Sequence, residues 1–588
     1  MKSNKFLFLL STFISALFIG ASASTLANDK GVERWRVAEL TFQSATDYST
    51  TGAATVEMDV AFTHTATGTV ISRPAFWDGN STFKVRFAPT LEGEWTWKSE
   101  CNADAALTGK HGTLQCVPYT GNLDIYRHGF LKTEPGVKHL MYADGTPFFY
   151  LGDTHWGMYT EEYDEPGPHA GDTGAKSHFK YIIDRRVEQG FTVYQSEPIG
   201  AAFNLKDGSV DQSDIAGMQT ADKYYQYIAE KGLVHANAEF FFASDLSRQL
   251  ADNHQALRHI SRYWVARFGA YPVMWTMAQE VDNDFYYEIG NHKVYSYENN
   301  PWVEIAEYIH SADVYSHPLS AHQENSVKTS VTGKGCEVGD DPRGGGGISV
   351  FADDDVARQA GHTWWAAQWS PALTEPSDPE MIWDYWSSPR PAVNYEGRYC
   401  GLWTKDFGSR AQGWISYLSG FFGYGYGAID IWLYKSTYDI GKPSFDGIDS
   451  ISIADKLRPW SEAVEYPSAH QMRHLRTFME SFPWWHLVPV LHGNANYRDK
   501  SNGYAHAATA NRHVFYFYSH NTSTGTLRIA PYSLSSPKTG NASYTLQWYN
   551  PREGNYLQPT LCNADADGWI VLPQRPDAAD WVLIVKRE

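Results

Sequence analysis

Between about residue 124 and residue 485 the chain repeats one rhythm, a short apolar run followed by an amphipathic stretch. "PFFYLGDTHW" reads as a strand and "SHFKYIIDRRVEQG" as a helix. "FTVYQSEP" is followed by "ADKYYQYIAEKG", "LVHANAEFFF" by "HQALRHISRYWVARFGAY", and "PVMWTMAQE" by "WVEIAEYIHSAD", after which "HPLSAHQE" starts the cycle again. Apolar positions in the helical stretches recur at i, i+3 and i+4, the spacing that lines one face of a helix. Alternating strands and helices imply a parallel sheet. Eight candidate units in about 360 residues favour a (β/α)8 barrel over an open sheet. The glycine-rich "DPRGGGGIS" is a loop, and no G-x-G-x-x-G follows a strand. A dinucleotide-binding fold therefore lacks its fingerprint.

Both flanks change period. From residue 31 to about 120, "ATVEMDVAFTHTATGTVISRPAFWDG" and "STFKVRFAPTLEGEWTWKSE" alternate apolar and polar residues, the mark of antiparallel strands with one buried face. "HVFYFYSH", "ASYTLQWYNP" and "DWVLIVKRE" bring the pattern back after about residue 486. At the start, Lys2 and Lys5 precede the apolar "FLFLLSTFISALFIG", and "ASA" or "TLA" offers a small-residue cleavage site. This is the layout of a signal peptide, too short to span a membrane. The expected organisation is an α/β protein: a signal peptide over 1–27, an N-terminal antiparallel β-sandwich over 28–122, a (β/α)8 TIM barrel over 123–485 and a C-terminal antiparallel β-sandwich over 486–588. Such a chain is expected to be secreted or periplasmic, without membrane insertion.

A net charge of −19, more negative once the leader's two lysines are gone, argues against nucleic acid as a partner. Five cysteines suit an oxidising compartment but leave one over. Cys101 and Cys116 flank the polar "NADAALTGKHGTLQ" and are candidates for a disulfide between neighbouring strands. No C-x-x-C pair exists, and the three successive Asp of "ADDDVAR" read as a solvated helix start, so no metal and no cofactor is expected. The sugar, its linkage and the oligomeric state leave no signature in the sequence.

If the middle region is a barrel, its chemistry belongs at the C-terminal ends of the strands. Those ends carry Asp153, His155 and Trp156, then Gln195 and Glu197, then His235 and Asn237. Next come Gln279 and Glu280, His322 and Gln323, Gln368 and Trp369, Glu396, and finally Tyr426, Asp430 and Trp432. Polar groups and indoles collected at one rim suit an oligo- or polysaccharide substrate. The chain's 15% aromatic content leaves platforms to spare for stacking on sugars. Glycosidic cleavage needs one protonated carboxyl and one ionised carboxylate at the same bond. Glu280 and Glu396 stand about three βα units apart, as strands four and seven would place them. Glu197 and Glu324 are rival carboxylates, and Arg398 beside Glu396 offers the alternative of a simple ion pair.

The stretches "PFFYLGDTHWGMY", "RRVEQGFTVYQ", "RYWVARFGAYPVMWTMAQEVD", "AVNYEGRY" and "GWISYLSGFFGYGYGAIDIW" together resemble the apiosidase-like catalytic domain family of barrel glycoside hydrolases. The leading region resembles the small β-sandwich that precedes such barrels, and the trailing one the β domains, some labelled collagen-binding, that follow them. The resemblance implies a retaining mechanism with Glu280 as acid/base and Glu396 as nucleophile. Two positions depart from the pattern. Gln279 stands where many retaining barrel enzymes place Asn, and Glu280 stands where the apiosidase members carry Asp, which shifts the proton donor by about one C–C bond. The expected function is a secreted retaining glycoside hydrolase on plant or algal cell-wall glycan. It is expected to be exo-acting, since an insertion such as 325–360 can wall off the rim. An endo-acting glycanase and a non-catalytic carbohydrate- or matrix-binding protein are the alternatives.

Overall fold

The computed structural model describes residues 24–25, 31–156, 163, 177–196, 203–238, 253–277, 286–289, 292–295, 301–320, 322–323, 362–368, 385–386, 388–401, 405–432, 458–489, 504–511, 513–519, 528–529, 542–566 and 568–588. The leader's charged and apolar regions lie outside these residues.

Eight parallel strands make one central sheet. They are β1 (Tyr150–His155), β2 (Val193–Ser196), β3 (Val234–Ala238), β4 (Val273–Met277), β5 (His322–Gln323), β6 (Trp365–Gln368), β7 (Ala392–Glu396) and β8 (Gly423–Tyr426). Their hydrogen-bonded order is β4-β3-β2-β1-β8-β7-β6-β5. A parallel bridge between Trp275 and Leu319 then brings β4 to the lead-in of β5, so the sheet curls into a nearly closed barrel. Within the described residues a helix follows six of the strands: α1 (His178–Glu188), α2 (Ile215–Glu230), α3 (His254–Phe268), α4 (Pro301–Ala312), α5 (Asp406–Leu418) and α6 (Pro467–Glu480). Capping starts two of them, since Ser177 accepts from Lys180 N and Asn253 from Ala256 N, each satisfying a first-turn amide.

Alternation along the strands decides what is inside. Tyr150, Val193, Val234, Ala236, Met274, Ala366, Val393 and Tyr395 form one buried cluster within the barrel. Phe130, Leu140 and Phe148, from the segment before β1, join that cluster and plug the end where the strands begin.

Before the barrel lie two sheets. Ala38–Gln43, Thr82–Phe87 and Phe76–Trp77 form one with Ser24–Thr25, and Val32–Glu33, His111–Val117, Gly93–Cys101, Met58–His64 and Val70–Pro74 form the other. They meet face to face, with Phe62 stacked on Phe87 at 4.0 Å between ring centroids. One pairing departs from the expected antiparallel pattern: Val32–Glu33 runs parallel to Cys116–Val117. So long a loop separates the two segments in sequence that a parallel edge pairing is accessible. The register also overturns the Cys101–Cys116 disulfide. Their strands are neighbours, but Cys116 pairs with Gly93 and not with Cys101, and both thiols are free. Eight residues along a strand is roughly 26 Å, far beyond the reach of a disulfide.

After the barrel, Leu487–Pro489, Tyr504–Thr509, Val514–Ser519, Trp581–Arg587, Ser543–Asn550 and Asn555–Tyr556 pair antiparallel in that spatial order. The C-terminal strand is thus central in its sheet. Buried ion pairs fasten both flanking units to the barrel helices. Arg410 of α5 grips Asp580 at 2.6 and 2.8 Å. On the other side Arg86 reaches Asp222 of α2 at 2.7 Å, and Arg267 of α3 reaches Asp222 at 2.6 Å and Asp78 at 3.0 Å. No described helix is long and apolar enough to cross a membrane.

Burial alone would raise the Asp222 carboxyl, but Arg267 and Arg86 hold it down at about 2. A carboxyl depressed in the folded state stabilises the protein above its unfolded value near 4, and that contribution fades as pH falls through the folded value. Asp222→Asn takes one anion from two buried guanidiniums, leaving Arg267 with Asp78 and Arg86 with Glu39. The loss is about 3 kcal/mol, the lower end for a broken buried pair. The variant is expected to melt well below wild type at pH 7. The gap should narrow between pH 4 and pH 2, as thermal melts across that range would show.

Candidate active site

β7 ends on Glu396, and irregular pairing decides where that side chain goes. Ala367 pairs with Asn394 and Gln368 with Glu396, so Tyr395 is an extra residue on β7. Such a bulge re-aims the side chains around it. Asn394 points outward and donates to Ser416 of α5 at 2.9 Å. Glu396, two residues on, would share that direction under strict alternation. Instead its Oε1 accepts from Trp156 Nε1 at 3.3 Å and from the Tyr399 hydroxyl. Trp156, just past the end of β1, belongs to the interior apolar cluster and also donates to the Tyr399 oxygen. The carboxylate is therefore buried, with 4% of its surface exposed, and fixed by an indole and a phenol. The segment bearing Tyr399 is pinned in turn by a parallel bridge between Cys400 and Ala428, beyond β8.

Beneath this carboxylate the barrel interior is polar. Gln195 crosses from β2 and donates to the Tyr395 carbonyl at 2.8 Å, while the Tyr395 hydroxyl donates to Thr276 Oγ1 on β4 at 3.3 Å. Space for these groups comes from glycine. A Cβ at Gly152 would overlap Gln195 Oε1, and one at Gly425 would overlap the Tyr395 carbonyl oxygen. The "GYGYG" of residues 423–427 thus turns Gly425 toward the crowded interior, while Tyr426 reaches outward to Ser468 of α6 at 3.0 Å.

The remaining expected site residues divide. Asp153 and His155 face the helices. Arg186 of α1 donates to Asp153 at 2.6 Å, His155 Nε2 lies 2.7 Å from the same oxygen, and His155 stacks on Tyr194. Burial alone would raise the Asp153 carboxyl, yet the charges of Arg186 and His155 and their hydrogen bonds hold it below its usual value. On β3, burial and the neighbouring His155 push His235 down to about 3. Its neutral ring lies 2.6 Å from Ser196 Oγ. Asn237 is buried and bonded to Tyr225 of α2. Asp430 sits not on a strand but in the short helix Ile429–Trp432, where it accepts from Arg458 N and Tyr466 Oη. Asp153, Gln195, Tyr426 and Asp430 therefore direct their bonded atoms to protein partners. His322 and Gln323 form β5 and Trp432 ends the short helix, with their side chains outside the described residues. Glu197, Gln279, Glu280 and Trp369 lie outside them altogether, as do Glu324 and "ADDDVAR". Arg398 has its backbone clamped by Gln412, through N–H and C=O at 2.7 and 3.0 Å. Among the described residues no group of three His, Cys, Asp or Glu is placed to hold a metal ion. Sequence reasoning missed Tyr399, whose signal was a tyrosine three residues beyond the strand-end glutamate.

The family described as "Apiosidase-like, catalytic domain" matches residues 134–486, more than half of the chain. The chain belongs to the apiosidase-like family. A second match, to a domain of unknown function (DUF5060), covers residues 31–102. No curated protein matches the chain. Among solved structures, a Bacteroides vulgatus ATCC 8482 protein described as a candidate glycoside hydrolase aligns at a TM-score of 0.64 and 16% identity, covering 95% of this chain and 99% of its own. A glycoside hydrolase family 5 structure from the same strain aligns at 0.55 and 17%, covering 80% and 95%. At these identities the structures speak for the fold. Together with the family they support a carbohydrate-active enzyme of the glycoside hydrolase kind.

The glycine requirement is directly testable. Gly425→Ala overpacks the interior and is expected to cost about 1–3 kcal/mol. Gly217→Ala on α2, where nothing lies within 4 Å of the added carbon, should hold or raise stability through helix propensity. Paired thermal melts should therefore move in opposite directions.

Proposed function

We propose that this protein is a secreted, exo-acting retaining glycoside hydrolase, in which Glu396 is the nucleophile and Glu280 the acid/base. The single observation that supports it most is the Glu396 carboxylate. It is buried at the C-terminal end of a barrel strand and re-aimed by a bulge onto Trp156 and Tyr399. A nucleophile needs a defined carboxylate orientation and little freedom, which the two donors on Oε1 supply. Glu280 follows the end of β4 by three residues, a strand on the far side of the interior from β7. A retaining mechanism requires the two carboxyls about 5–5.5 Å apart.

In this reading the architecture is a complete (β/α)8 barrel over 123–485 between β-sandwiches at 28–122 and 486–588, released after cleavage of residues 1–27. Sugar contacts come from Trp156, Glu197, Gln279, His322, Gln323, Trp369 and Trp432. Asp153, His155, Gln195, Tyr426 and Asp430 brace the strand ends. The substrate is a plant or algal cell-wall glycan, and Glu280, in place of the Asp of apiosidase members, moves the proton donor by about one C–C bond.

Glu396→Gln should lower kcat on a cell-wall glycan by several orders of magnitude while binding persists, read by sugar release and calorimetry. Glu280→Gln should lose turnover on natural glycans yet keep most of it on aryl glycosides whose leaving group needs no proton. A first-formed product of inverted anomeric configuration, seen by NMR, would end the double-displacement reading. A product ladder in place of a monosaccharide would favour the endo-acting alternative.

A further inference from the structure

We infer that Tyr395 is a positioning residue for this reaction, a strut across the barrel interior that fixes the two carboxylate-bearing strands relative to each other; the inference rests on the hydrolase reading above. Two irregularities carry it. On β7 the extra residue of the bulge is Tyr395, the immediate neighbour of Glu396. On β4 the pairing jumps from Trp275 to Met277, so the extra residue is Thr276, four positions before Glu280. These two residues are hydrogen-bonded to each other across the barrel, Tyr395 Oη to Thr276 Oγ1 at 3.3 Å. The β7 bulge loosens its strand immediately before Glu396, and the β4 bulge lies four residues before Glu280 in sequence. The bond between them replaces that lost definition with one that spans the site.

The strut is itself held at both ends. Gln195 Nε2 takes the Tyr395 carbonyl at 2.8 Å, which fixes the peptide leading into Glu396. Trp156, a donor to the Glu396 carboxylate, lies 5.7 Å from the Tyr395 ring, and Trp364 packs against that ring edge-on at 6.0 Å. A ring wedged between two indoles, with its hydroxyl 3.3 Å from a threonine, has little room to turn. Apolar packing alone would be served equally by phenylalanine, which fills the same volume. The positioning role belongs to the hydroxyl, and that makes it separable from folding.

The test uses the full-length secreted protein with the glycan that the wild type hydrolyses. Kinetics of sugar release are measured for Tyr395→Phe, Thr276→Val, their double variant and Thr276→Ser, each with its melting temperature. A strut predicts kcat lowered about 10- to 100-fold in either single variant, the range that a misplacement near 1 Å produces, with KM within about threefold of wild type. The double variant should fall no further than the weaker single one, because both remove the same bond. Thr276→Ser, which keeps the acceptor, should stay within about threefold of wild-type kcat. Wild-type kcat in Tyr395→Phe would overturn the inference while leaving the hydrolase reading standing. So would losses that multiply in the double variant, or a rise in KM alone. A wild-type protein that turns over no glycan would remove the hydrolase reading and the strut with it.

Discussion

A parallel sheet curled into a nearly closed barrel must fill its own interior, and here that filling is partly polar. Gln195, Tyr395 and Thr276 link β2, β7 and β4 by two hydrogen bonds through the middle of the barrel. Every other feature of the rim rests on that layer. A buried amide or hydroxyl without a partner costs about 1–3 kcal/mol, so the three groups hold one another in register. The glycines at 152 and 425 are the counterpart, since any Cβ there would occupy the space these groups need. Lining strands with glycine weakens them individually, a weakness the sheet tolerates because β1 and β8, which carry these glycines, each have two paired neighbours.

The outer shell uses charge for an analogous purpose. Arg186 on Asp153, Arg267 and Arg86 on Asp222, and Arg410 on Asp580 each hold an anion within a helix–strand or inter-sheet seam. Guanidinium forks suit such seams because they bond two or three acceptors with fixed geometry. Arg86 and Arg410 belong to seams between the barrel helices and the flanking sheets. Buried pairs of this kind add specificity of docking more securely than net stability.

Much of this was legible in the sequence. The alternation of apolar runs and amphipathic stretches located the parallel strands, among them β7, which ends on Glu396. What failed did so for identifiable reasons. Asp153 and Asn237 read as rim groups by position alone, yet two-residue alternation turns them to the helices, as the Asp153–Arg186 bond shows. Gln195 has the opposite parity and points inward. Cys101 and Cys116 sit on adjacent strands, but pairing register, set by the hairpin from Lys98 and His111 onward, is not encoded in spacing. Bulges are invisible to any periodic pattern, because they are the places where the period breaks.

That last point bears on how such a site is built at all. Strict alternation would send Glu396 the way of Asn394, toward α5. One inserted residue reverses the outcome, at the cost of a ladder hydrogen bond and of local rigidity. The glycosidase chemistry proposed above would need its reacting groups held to about 0.5 Å, so a strand loosened beside Glu396 needs definition from elsewhere. β6 cannot supply it, since the register slips there, and the pairing with β8 is at Asn394 and Tyr424, two residues short of Glu396. Support has to come across the interior, from β2 to the Tyr395 carbonyl and from the Tyr395 hydroxyl to β4. The same residue that breaks the pattern is therefore the one the interior layer holds at both its backbone and its side chain.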